Sequence, residues 1–216
     1  DIMNPYVAKI LITARDGDSI RVISKRIALS YAWTYKWVEK LVEIGIMKRK
    51  GQKIKVNTED VTYQAFLRLI KTSLQQHLDL SDAYALPHLS GLTYAFTETD
   101  AVFIWTDGGY NIARSRDSYP MFIDVLEKDI EQWKTFFNNV AVSVTANIEK
   151  QKGIYFVLIP KKEINKTVKN DVYVIPLEDT VTYAQKYIYN FQPALEMLDQ
   201  MYHLNMNIQY AEKGVA

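Results

Sequence analysis

The sequence predicts an α+β protein in two parts, a small N-terminal head of three helices and a hairpin, followed by a larger α/β body with a small mixed sheet. Three observations carry this expectation. Residues Ile23 to Val56, ISKRIALSYAWTYKWVEKLVEIGIMKRKGQKIKV, read as a short helix, a tight turn, a second helix and a two-stranded basic ribbon. Beyond them, apolar runs alternate with amphipathic stretches, the pattern of strands interleaved with helices. Charge divides in the same way: residues 1–56 hold twelve Lys and Arg against five Asp and Glu, a net of +7, and the other 160 residues hold a net of −6. A basic head on an acidic body suits a polyanion-binding module joined to something that does not bind polyanions.

Each element has its own signals. Asn4-Pro5 opens the first helix, Asn4 as cap and Pro5 in the first turn, and Tyr6, Val7, Ile10 and Leu11 follow helical spacing up to Asp16-Gly17-Asp18. Ser19 to Val22 is short enough for a small strand. Ser24 is expected to cap a second helix to about Leu29, and Ser30 a third that runs to Ile44 and stops at Gly45. Ile46 to Lys50 and Lys53 to Val56 form a hairpin around Gly51-Gln52. Thr58 is read as the cap of a fourth helix, with an apolar stripe of Val61, Ala65, Phe66, Leu69, Ile70 and Leu74 that suits a partner subunit or the chain's own second part. Residues 78–91 lose periodicity and contain Pro87 and Gly91, which places a boundary there. The expected organisation is a head over 1–57, a connecting helix over 58–78 and an α/β domain over 79–216. In that domain, Leu92–Phe96 is read as helix or strand. Ala101–Thr106, Met121–Leu126, Val140–Ile148, Ile154–Ile159 and Val172–Pro176 are read as strands. Lys128–Asn138 is an amphipathic helix, and Asp179–Leu204 is helical, with Pro193 able to start a fresh helix.

The third helix carries the chemistry of the head. Thr34, Trp37 or Val38, Leu41 and Ile44 recur at core spacing, which leaves Tyr31, Trp33, Tyr35, Lys36 and Lys40 on the opposite face. Tyr31 and Ala32 sit at the helix start, where side chains reach base edges, and aromatic rings and Ala32 suit thymine methyls. Lys36 and Lys40 suit phosphates. Ser24, Lys25 and Arg26 are expected to open the preceding helix, where backbone amides favour a phosphate. The hairpin adds Lys48, Arg49, Lys50, Lys53 and Lys55, cations that lend affinity without sequence information.

With Ile27-Ala28-Leu29-Ser30 at the turn, Val38-Glu39-Lys40-Leu41 in the helix and Gly45-Ile46-Met47 leading into the hairpin, the stretch resembles the winged helix-turn-helix transcriptional regulators of bacteria and archaea. The resemblance implies a cytoplasmic regulator, commonly a homodimer, that binds double-stranded DNA with this helix in the major groove and the basic wing on the backbone. The aromatic helix departs from the more usual Ser, Thr, Gln and Arg, so it does not spell a base code. The alternative use of such a head is as a protein-interaction module.

The body is weakly similar to a degenerate nucleotidyltransferase-type domain of the kind attached to winged helices in abortive-infection antitoxins, over YAFTETDAVFIWTDGGYNIARSRDSYPMFIDVLEKDIEQWKTFF. That similarity implies a Gly pair, Gly108-Gly109, ahead of a strand with carboxylates at alternate positions. Asp124 supplies one carboxylate, but Phe122 stands two residues before it, and Asp117 belongs to a loop. One acid on a strand does not assemble a metal pair for phosphoryl transfer. The body is therefore expected to sense, dimerise or bind a protein partner, with no catalytic residue, metal or cofactor; a nucleotidyltransferase acting on nucleic acid through Asp124 is the rival. The absence of cysteine removes disulfides, thiol catalysis and Cys-ligated zinc, and His77, His88 and His203 are not at metal-ligand spacing. A triad of His88, Ser90 and Asp82 is disfavoured beside Pro87. Tyr183, Tyr187, Tyr189 and Phe191 suit a core or interface better than a ligand pocket. No apolar run approaches the ~20 residues that span a bilayer, and the first residues lack a secretory signal.

Overall fold

A computed structural model describes residues 4–147, 150–206 and 208 and divides the chain into two units. The first comprises the residues up to Leu92 with Asn139–Ala141, and the second comprises Thr93–Asn138 and the residues from Val142 onward. The whole is mixed α+β, with a two-stranded and a six-stranded sheet. Among the described residues no helix is long and apolar enough to cross a membrane.

The first unit begins with α1 (Pro5–Thr13), capped by the Asn4 side chain, which accepts from the Tyr6 amide at 2.9 Å. Next come α2 (Ile20–Arg26), α3 (Tyr31–Glu43), β1 (Met47–Lys50) and β2 (Lys53–Val56). Ser30 caps α3 and Gly45, at φ +84°, follows its end, as expected. β1 and β2 pair antiparallel across the Gly51-Gln52 turn, with Gly51 at φ +63°. The core joins Val7, Ile10 and Leu11 of α1, Ile20 and Ile23 of α2, Val38 and Leu41 of α3, and Met47, Ile54 and Val56 of the hairpin. Full burial stabilises by about 1.5–3 kcal/mol per large aliphatic side chain.

Three boundaries differ from expectation. The cap of α2 is Ser19, not Ser24; Ser19 Oγ accepts from the Val22 amide. The segment SIRVIS offers two serines five residues apart, and burial of Ile20 along with Ile23 selects the earlier one. The small strand read over Ser19–Val22 shrinks to one bridge, Ser19 to Lys53, beside the backbone bonds Gly17 N to Ile54 O and Ile54 N to Asp18 O. α4 (Val61–His77) is capped by Asp60 rather than Thr58, since Asp60 Oδ1 accepts from the Tyr63 amide at 2.9 Å. Along α4, Tyr63 is buried and Phe66 and Leu67 pack on the core, whereas Val61 and Leu69 stand 79% and 60% exposed. The aperiodic segment 78–91 holds a further helix, α5 (Leu80–Leu89), capped by Asp79, with Pro87 in its last turn.

The second unit runs β3 (Tyr94–Phe96), α6 (Glu98–Trp105), β4 (Ser118–Leu126), a 3-10 turn over Glu127–Asp129, α7 (Ile130–Asn139), β5 (Ser143–Thr145), β6 (Gly153–Lys161), β7 (Thr167–Lys169), β8 (Val172–Val174), α8 (Leu177–Lys186) and α9 (Ile188–Tyr202). Strand order is β5-β6-β4-β3-β8-β7; β4 is antiparallel to β3 and parallel to β6, and β3 is parallel to β8. Register sets Tyr94 opposite Val125 and Phe96 opposite Ile123. This face meets α7, where Trp133 lies edge-on to Tyr94 at 5.9 Å and Phe137 stacks on Phe156 at 4.4 Å. A separate cluster binds α6, α8 and α9 through Val102, Ala184, Phe191, Ala194 and Leu195.

The apolar run AVFIWT is helix, not strand. Buried on most sides, it lacks the periodicity that separates a short core helix from a core strand, and Glu98 and Asp100 in its first turn favour the helix. The strand read over Val140–Ile148 is only Ser143–Thr145, and Ile148 lies outside the described residues. Pro193 does not start a helix; it lies within α9, which ends at Tyr202.

Candidate nucleic-acid interface

On α3, burial divides the helix along its length. Thr34, Val38 and Leu41 are buried, while Tyr31, Ala32, Trp33, Tyr35, Lys36 and Lys40 are exposed. Trp37 packs partly against the core, and Ile44, expected to extend the core stripe, is half exposed. The exposed rings are organised rather than splayed. Tyr31 and Tyr35 lie 6.0 Å apart, Trp33 lies 6.4 Å from Tyr6 of α1, and the Lys36 ammonium sits 5.0 Å from the Trp33 ring. Tyr6, 41% exposed, thus joins this surface, whereas Val7, Ile10 and Leu11, which follow the same helical spacing, are buried.

Register sorts the cations of the hairpin. Lys48 opposes Lys55 and Lys50 opposes Lys53, so these four exposed lysines share one face. Met47, Arg49, Ile54 and Val56 take the other, which meets α3 and the core. Arg49 is therefore not a free phosphate contact. Its guanidinium donates to Glu39 at 2.5 Å and to the Gly51 carbonyl, and it lies 5.5 Å from the Tyr35 ring. Hydrogen bonding with Tyr35, then the Glu39 charge, raises its pKa against a desolvation effect. Like charges set directly opposite on a hairpin repel, so a face of four lysines gains by meeting an anion.

The basic residues of α2 correct the expectation of a phosphate site at a helix start. Ser24, Lys25 and Arg26 close α2 instead of opening it. Ser24 is buried, and its hydroxyl donates to the Arg21 carbonyl at 2.9 Å. Arg26 turns inward: it pairs with Asp18, donates to the Thr13 carbonyl and leaves its side chain only 9% exposed. Gly91 at φ +62° packs on it, and a Cβ there would fall within 2.0 Å of the Arg26 side chain. Lys25 remains exposed. Arg21, which sequence reading passed over, is the exposed cation near the start of α2, and among the described residues no carboxylate pairs with it. It lines a cleft of about 410 Å3 with Ser19, Ile20, Tyr31, Arg49 and Gln52. The signal that could have found it is the same cap assignment: with Ser19 as cap, Arg21 falls in the first turn.

In the second unit Asp124 lies on β4, opposite Ala95, and is 7% exposed. Desolvation pushes its carboxyl up to about 6; Glu98 adds to the shift and Lys161 opposes it. Glu98, at φ +51° where α6 begins, is raised as well, mainly by burial. Asp117 lies in the turn before β4. Among the described residues no group of three acidic or histidine side chains is placed to hold a metal ion. Gly108-Gly109 closes α6: Gly108 N donates to Phe103 O, and a Cβ on Gly109 would meet Met197 Cε at 2.3 Å. Asp100 and Arg114 form a buried ion pair at 2.6 Å, and Asp100 also accepts from the Phe122 amide, which pins α6 to β4. In the first unit Ser90 Oγ donates to the Pro87 carbonyl, while His88 and Asp82 are exposed. Phe191 is core and touches Tyr183, whereas Tyr189 is 72% exposed.

Comparison of the chain with protein-family models, with curated proteins and with solved structures gives no match.

Proposed function

We propose that this protein is a DNA-binding transcriptional regulator of winged-helix type. α3 enters the major groove of double-stranded DNA with Tyr31, Ala32, Trp33, Tyr35, Lys36 and Lys40, and the hairpin serves as the wing on the phosphate backbone. The observation that carries the reading is the lysine face of the hairpin, Lys48, Lys50, Lys53 and Lys55, next in the chain to a helix whose exposed side is cationic and aromatic. Such a face is costly without an anionic partner and favourable with one. The order helix, turn, helix, two-stranded ribbon is that of domains which place the second helix in the groove. The chain acts as a homodimer in the cytoplasm, since one head spans few base pairs and paired half-sites multiply affinity. The exposed Val61 and Leu69 of α4 supply apolar surface for the second copy. The second unit serves as a sensing, dimerising or partner-binding body and not as a catalyst: Asp124 is buried and has Phe122, not an acid, two residues before it on the same strand face.

Fluorescence anisotropy of duplex fragments at several salt concentrations tests the reading. About six phosphate contacts give a slope of roughly −5 in log affinity against log salt. Absent or salt-independent binding refutes it, and selective capture of a protein in its place selects the interaction-module alternative. Transfer of label from a nucleotide with Mg²⁺, lost in Asp124→Asn, establishes the nucleotidyltransferase alternative instead.

A further inference from the structure

We infer that the cleft between the starts of α2 and α3 and the hairpin turn receives a single base turned out of the DNA stack, so that the protein prefers duplexes with an unpaired nucleotide over perfect ones. The inference rests on the nucleic-acid reading of this surface. Its basis is the cleft itself. At about 410 Å3, it lies within the ~300–1,000 Å3 range of small-ligand sites. A base in an intact duplex keeps both neighbours stacked and offers only its edge to the groove, and an edge leaves such a recess unfilled. The lining has the three chemistries that an extruded nucleotide needs. Tyr31, 51% exposed, presents a ring for stacking, with the Tyr35 ring 6.0 Å from it and the cleft-lining Arg49, held by Glu39, 5.5 Å from the Tyr35 ring. Ile20 gives an apolar floor, while the Gln52 amide and the Ser19 hydroxyl supply donors and acceptors for a base edge. Arg21, which among the described residues has no carboxylate partner, is available to the phosphate of the same nucleotide. Aromatic walls beside cations characterise the surfaces that bind unstacked bases, which every base can satisfy through its π-face. This also accounts for a recognition helix of tyrosine and tryptophan where a base-reading helix uses Asn, Gln or Arg.

The test uses the full chain with a fluorescent duplex, the same duplex carrying one extra unpaired adenine, and free AMP. Anisotropy is expected to give about tenfold tighter binding of the duplex with the unpaired base. With 2-aminopurine at that position, its fluorescence is quenched on binding. Tyr31→Ala brings the ratio of the two affinities to about one and abolishes the quench, while Tyr31→Phe retains both. Equal affinities for the two duplexes, or a preference that survives Tyr31→Ala, overturn the inference while the regulator reading stands. Binding of free AMP together with equal duplex affinities overturns it in favour of a free nucleotide. Failure to bind either duplex removes both this inference and the regulator reading.

Discussion

Arg21 and Arg26 stand five residues apart on α2 and end in opposite circumstances. Arg26 is folded into the protein by Asp18 and the Thr13 carbonyl, so its removal leaves a carboxylate nearly buried without its cation. Arg26→Ala is expected to cost roughly 3 kcal/mol in thermal or urea unfolding. Arg21→Ala is expected to change stability by no more than about 0.5 kcal/mol and to weaken duplex binding, with a salt slope lower by about one. If Arg26→Ala behaves like Arg21→Ala, the division between a structural and a binding arginine is wrong. Asp124 makes a second residue-scale statement. Its pKa in the fold, about 6, lies above the ordinary carboxyl value, so the fold favours the protonated form. The stability it contributes is therefore present below about pH 4 and lost as pH rises through 6. Asp124→Asn is expected to stabilise the protein by about 1–3 kcal/mol at pH 8 relative to its effect at pH 4. Equal effects at the two pH values would show that the carboxylate is ionised at no cost.

At the scale of elements, the hairpin was legible in the sequence and its use of charge was not. Gly51-Gln52 between two basic alternating runs announces the turn, but the partition of Lys48, Lys50, Lys53 and Lys55 from Arg49 follows from register, which sends every second side chain to the opposite face. The double variant Lys48→Gln, Lys55→Gln is expected to lower the salt slope from roughly −5 to roughly −3. It is also expected to stabilise the first unit by about 0.2–1 kcal/mol, because two lysines no longer face each other. A slope unchanged by both substitutions would remove the hairpin from the interface. α6 shows the converse failure. AVFIWT has no charged residue to mark a face, so its pattern fits strand and helix alike, and the acids Glu98 and Asp100 in the first turn together with packing against α8 and α9 distinguish them. α2 failed by a single cap: two serines compete, and the one whose helix buries Ile20 wins.

At the scale of the whole molecule, the chain is two units, each with its own core. All residues of the first apolar cluster come from positions 7–67, and those of the α6–α8–α9 cluster come from the second unit. Residues 1–92 alone are therefore expected to unfold cooperatively and to bind duplex DNA with the salt slope of the full chain. Residues 93–216, which carry none of the +7 charge, are expected to bind none. Non-cooperative unfolding of the 1–92 fragment would show that its core depends on the rest of the chain. Light scattering is expected to give a dimer that Leu69→Glu converts to a monomer, since a charge at an apolar interface is left without solvent or partner. A monomeric parent chain would instead require a different origin for the exposed α4 side chains.

The order of elements in the head, the outward face of α3 and the separation of charge were determined by local sequence. Caps, glycine turns and helical spacing act within a few residues of chain, and they needed no distant neighbour. The choice of Ser19 over Ser24, the withdrawal of Arg26 from the surface, the pairing of the exposed Arg49 with Glu39, the helix at Glu98–Trp105 and the six-stranded order were decided by tertiary structure. Each depends on which side chains meet once separate elements pack together, where burial and ion pairing outweigh local preference.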